Sequence, residues 1–74
     1  MSDINFKIIE KLGIISESPK GWVKELNLIS WNERVPKYDI REWSPDGQTM
    51  SKGITLSKEE LITLKKLLSQ LDFE

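Results

Sequence analysis

KYDIREWSPDGQTMSKGITLSKEELITL, residues 37–64, reads as a strand, a tight turn, a second strand and a capped amphipathic helix. Along residues 37–44, Tyr38, Ile40 and Glu42 alternate with Lys37, Asp39, Arg41 and Trp43, which puts the two sets on opposite faces of a strand. Ser44-Pro45-Asp46-Gly47 supplies the turn: proline presets φ at the first central position, and glycine admits the left-handed residue that closes such loops. Residues 48–55 return as a second strand, in which Gly53 marks a bulge or a close backbone approach. Ser57 is a natural N-cap, Glu60 completes a capping box, and Leu56 with Leu61 forms a hydrophobic staple. Leu61, Leu64, Leu67, Leu68 and Leu71 then fall within one arc, which predicts a helix over 58–71 with Ile62 outside the stripe.

Upstream, INFKIIEKLGII (residues 4–15) predicts a long first strand with Phe6, Ile8, Leu12 and Ile14 on one face. SESPKG (16–21) is a turn, WVKELNLISWN (22–32) a second long strand, and residues 32–36 turn it into the 37–44 strand. In the second strand, strict alternation groups Trp22, Lys24, Leu26 and Leu28 against Asn27, Ile29 and Trp31; a bulge would exchange the faces of one end. The product is an α+β fold: a four-stranded antiparallel meander followed by one C-terminal helix, in a single domain spanning 1–74. Asp72-Phe73-Glu74 reads as a frayed acidic end.

A 74-residue chain folding alone buries only about 60% of its unfolded surface, a size at which extra stabilisation is common. Without cysteine that help comes from neither disulfides nor a thiolate metal site, which leaves oligomerisation. The lack of cysteine, signal-peptide pattern and long apolar run favours an intracellular, cytoplasmic protein with no membrane partner. Net charge is −1, but six of the eleven cations (Lys20, Lys24, Arg34, Lys37, Arg41, Lys52) lie between residues 20 and 52. Five acids share that region, so a basic patch requires the two signs to be separated by face.

Histidine is absent as well, which removes Ser-His-Asp and Cys-His catalysis and His- or Cys-based metal sites. No carboxylate sits in an apolar run that would raise its pKa for acid catalysis, and no glycine-rich phosphate loop is present. Neither an enzyme nor a cofactor is expected. The residues suited to binding are Arg41 with Trp43, then Lys37 and Lys52, and Trp22 flanked by Lys20 and Lys24. A guanidinium can meet a phosphate and an indole can carry an unpaired base. The competing roles are structural: Trp43 packing on a neighbouring strand, Arg41 pairing with Asp39 or a cross-strand carboxylate, and Trp22 closing one end of the core. Trp31 is assigned to the core.

DIREWSPDGQTMSKGITLSKEEL resembles the conserved core of the positive cofactor four family of transcriptional coactivators: a D-I-R-E-aromatic strand, a Pro-acidic-Gly turn, then K-G-I-S/T-L and a helix. With GWVKELNLISWN upstream, the whole chain is similar to the small bacterial YdbC-type members. The resemblance implies a homodimer that binds single-stranded DNA with little sequence preference across its sheet surfaces. By motif it carries binding roles onto Arg41, Trp43 and Lys52. The chain has one aromatic after Glu42 where the family often has two, and it lacks the family's Ser- and Lys-rich N-terminal extension.

The expected function is therefore single-stranded DNA binding in transcription, replication or repair, by phosphate neutralisation and base stacking. Single-stranded RNA offers the same π-faces. The rival expectation is a protein-interaction module that captures a peptide at a sheet edge or on an exposed Trp face.

Overall fold

The computed structural model describes residues 5–73. It contains β1 (Phe6–Glu17), β2 (Val23–Trp31), β3 (Lys37–Trp43), β4 (Ile54–Leu56) and α1 (Lys58–Leu68), with the strands in one antiparallel sheet of order β1-β2-β3-β4. The meander and C-terminal helix are as expected. Ile4, the expected start of the first strand, lies outside the described residues. No described helix is long and apolar enough to cross a membrane.

Bulges decide the shape of the sheet, and they fall in β1, not β2. The 12 residues of β1 pair with the 9 of β2, and register shifts leave Ile9, Leu12 and Ile15 as extra residues. From Ile8 onward β1 spends three residues for every two of β2, and such bulges sharpen twist and bend the strand. Leu12 thus leaves the face that alternation assigned to it. β2, free of shifts against β3, keeps strict alternation: Lys24, Leu26 and Leu28 stand with Glu42, Ile40 and Tyr38, while Glu25, Asn27 and Ile29 stand with Arg41, Asp39 and Lys37.

The second of these faces curls inward. Phe6 pairs with Trp31 at one end of β2, and Trp43 pairs with Val23 at the other. Yet the Phe6 ring lies 5.6 Å from both indoles, so this face is concave and closes on itself. Its centre holds Ile29, Asn27 and Asp39, all fully buried, and Trp43 is buried at its end. The core therefore sits on the face opposite the helix.

α1 covers part of the convex face. Ile54 and Leu56, paired with Ile40 and Tyr38, line an apolar pocket of about 450 Å³ with Leu64 and Leu67. The capping box is complete: Glu60 N donates to Ser57 Oγ at 3.1 Å, and Ser57 N donates to Glu60 Oε1 at 2.8 Å. The helix stops at Leu68 instead of Leu71, because the Ser69 hydroxyl turns back to the Lys66 carbonyl at 2.7 Å. No helix residue is buried, and Ile62, Leu67, Leu68 and Leu71 are 44–55% exposed.

The fourth strand is shorter than expected. Residues 48–53 track β3 without forming a ladder, apart from a bridge between Trp43 and Met50. Ser51 replaces the ladder with its own bonds: its N donates to Glu42 O at 2.9 Å, and its Oγ accepts from Glu42 N at 3.1 Å. Gly53 is the close approach that its position predicts, since a Cβ there would fall 2.3 Å from Ile40 O. In the preceding turn, hydrogen bonds from Ser44 Oγ and then Gln48 N hold the Asp46 carboxyl below the usual carboxylate range. That turn is favoured at neutral pH and loses this support as acid protonates Asp46.

The β2–β3 turn carries strain. Asn32 and Glu33 have φ of 51° and 62°, and Arg34 N donates to Trp31 O at 2.9 Å, a type I′ arrangement that favours Asn-Gly. A glutamate there sits in a region costly for residues with a Cβ. Glu33→Gly is expected to stabilise the fold by about 0.5–1 kcal/mol, measured as a rise in melting temperature at fixed protein concentration.

Candidate nucleic-acid interface

The structure divides the seven candidate residues into three groups. Arg41 and Trp43 share a face, as alternation predicts, but that face is the closed one. Trp43 is 5% exposed, its ring lies against Phe6, and its Nε1 has no hydrogen-bond partner among the described residues. Arg41 forms a two-pronged pair with Asp39, Nε to Oδ2 and Nη2 to Oδ1, both at 2.7 Å. Its guanidinium carbon lies 4.7 Å over the Trp31 ring. Asp39 also accepts from Thr55 Oγ1 at 3.3 Å. The structural roles hold at both positions: Trp43 is a core residue with no ring face open to a base, and Arg41 is neutralised by its partner.

Lys37 is exposed but stands apart. It pairs with Ile29 at the end of the sheet away from Lys24, on the face of Asp39 and Arg41.

Of the remaining four, Lys24 and Lys52 share one groove on the convex face, and Lys20 and Trp22 lie in the segment that leads into β2. Trp22 immediately precedes β2 in the same alternation as Lys24, and it is half-buried. Its N donates to Ser18 Oγ at 3.1 Å, and its carbonyl accepts from Ser18 N, which fixes the approach to the strand. Lys20 is exposed in the same turn. A Cβ on Gly21 would lie 3.1 Å from Pro45 Cγ, so the β1–β2 turn rests against the turn that follows β3. Lys24 and Lys52 line one groove of about 340 Å³ with Ile40, Glu42, Ser51, Gly53 and Ile54, and Arg41, though paired with Asp39, also reaches its lining. Lys52 reaches it because Gly53 lets the chain press against β3.

Glu42 and Ser51 were missed as groove residues. Alternation puts Glu42 on the convex face, but only the cross-strand register, Lys24 opposite Glu42, shows that it shares a groove with lysines. Among the described residues no group of three or more acidic side chains is placed to hold a metal ion.

The groove brings two of the candidate lysines together on the convex face. The sequence pattern of the Transcriptional Coactivator p15 (PC4) family matches residues 18–67, and the chain belongs to that family, which is known for nucleic-acid binding and coactivation. The chain is also 43% identical over 72 residues to an uncharacterised protein of Treponema pallidum (strain Nichols), covering 97% of this chain and 85% of the relative. The matched segment includes the groove and both turns at its end.

Proposed function

We propose that the protein is a homodimer that binds single-stranded DNA without requiring a defined sequence, acting in the cytoplasm as a binding protein and not as an enzyme. The observation that carries this reading is the convex groove lined by both Lys24 and Lys52, with Trp22 and an exposed Lys20 in the segment that leads into β2. Lysines neutralise phosphates and release counterions, while Trp22 offers an indole face to an unpaired base. A duplex hides its base faces, so stacking favours single strands. The blunted β1 edge, with its three bulges, is poorly suited to strand addition and speaks against peptide capture there.

Three lysines per chain (Lys20, Lys24 and Lys52) give about six phosphate contacts per dimer. The logarithm of affinity for oligo-dT is expected to fall against the logarithm of salt with a slope of roughly −4. Lys24→Ala and Lys52→Ala should each flatten that slope by about 1.4 per dimer, and anisotropy titrations across salt concentrations measure it. A flat response, or equal affinity for the matching duplex, contradicts the reading.

The dimer rests on the apolar surface that α1 leaves open. Leu67, Leu68 and Leu71 are each half exposed, and Ile62 is exposed outside their arc. A second copy that covers them supplies burial that a small domain lacks. Sedimentation at micromolar concentration should give about twice the 8.6 kDa chain mass, and Ile62→Glu should shift it toward the monomer. A stably folded parent monomer under those conditions counts against the dimer.

A further inference from the structure

The groove that holds Lys24 and Lys52 also holds a carboxylate, and phosphate binding gives it no part. Glu42 stands directly across from Lys24 in the β2–β3 register. Its backbone is tied on both sides to Ser51, at 3.1 Å and 2.9 Å. Its side chain lines the groove, yet among the described residues it accepts no hydrogen bond and forms no ion pair, although a lysine faces it. A free carboxylate repels a phosphate. It attracts the N–H groups of a base edge.

Bases differ in what they offer to such a group. Guanine presents N1–H and N2–H side by side, which matches the two oxygens of one carboxylate. Thymine presents a single N3–H between two carbonyl oxygens, and those oxygens repel a carboxylate. Cytosine and adenine each bring one amino group. The groove is walled by Ile40 and Ile54, against which a base plane can lie, and its lysines are placed for neighbouring phosphates.

We propose that Glu42 is a base-selecting residue: its carboxylate accepts hydrogen bonds from the Watson–Crick edge of an unpaired guanine and disfavours thymine. This rests on the single-strand reading above and adds to it a preference of composition, without a required sequence.

The test is fluorescence anisotropy with two 12-mers, oligo-dT and d(TTG)4, at one salt concentration. Its isolated guanines avoid the guanine runs that self-associate. The parent should bind d(TTG)4 about tenfold more tightly, within the range of one good bidentate base contact. Glu42→Gln should lose or reverse the preference, because an amide can donate to thymine O4 and accept from N3–H. It should also bind oligo-dT more tightly than the parent, since a negative charge is gone from the groove. Glu42→Met keeps the length of the side chain and cannot accept from the base, so it should lose the preference as well. Equal parent affinity for the two oligonucleotides overturns the role of Glu42 while leaving single-strand binding intact. A guanine preference that survives unchanged in both variants also overturns it, and moves the discrimination to stacking. A parent that binds neither oligonucleotide removes the binding function itself, and Glu42's role with it.

Discussion

Trp43→Ala is expected to cost about 3–5 kcal/mol of stability, the usual range for a buried Trp truncated to Ala. A chain of this length has only about 4–11 kcal/mol to lose. The reason is position: Trp43 closes one end of the concave face, with its ring 5.6 Å from Phe6, which also reaches Trp31 at the other end. Removing the indole opens a void between β1 and β3 that the curled sheet cannot fill without uncurling. Urea or thermal unfolding at fixed concentration measures the loss, and oligonucleotide binding should fail only as the fold fails. Trp22→Ala should lower the melting temperature less than Trp43→Ala, since Trp22 is only half-buried, and weaken binding by about 1–3 kcal/mol, the worth of one stacked base. A folded Trp43→Ala protein with normal stability, or an unfolded Trp22→Ala protein, would exchange the roles given to the two residues.

What could be read in the sequence was what depends on neighbours in the chain. The Ser57–Glu60 capping box is encoded in four consecutive residues, and it forms as those residues imply. The same holds for the alternation of β2 and β3 and for Gly53 against Ile40. The curvature was not legible. It comes from three extra residues in β1, each an aliphatic that also fits a regular strand, and their displacement shows only against β2. That curvature folds the face of Arg41 and Trp43 into the core. It also explains why the pair looked like a binding site: their spacing is that of a shared face, and a shared face can be inside or outside. The Lys24–Glu42–Lys52 groove was hidden for a related reason. It joins β2, β3 and an irregular segment through cross-strand register, which no local pattern carries.

Asp39→Ala should be nearly as damaging as Trp43→Ala, for an electrostatic reason. Asp39 is fully buried, and the Arg41 side chain is only 14% exposed. Removing the carboxylate strands a guanidinium that it holds by two 2.7 Å bonds, and leaves Thr55 Oγ1 without its acceptor. Breaking a buried pair from one side costs about 3–5 kcal/mol, whereas replacing both partners by apolar groups is often neutral. The double variant Asp39→Ala/Arg41→Met should therefore recover most of the loss. The coupling from the four-way comparison of unfolding free energies should be at least about 2 kcal/mol, near the upper range for contacting residues. The same double variant tests how the charge is used. An arginine already neutralised by Asp39 releases few counterions, so removing both groups should leave the salt slope of oligonucleotide binding close to the parent's. A slope flattened by about 1.4 per dimer would mean that Arg41 leaves Asp39 for a phosphate when DNA binds. The concave face would then join the interface, and the core pair would be a resting state of the site.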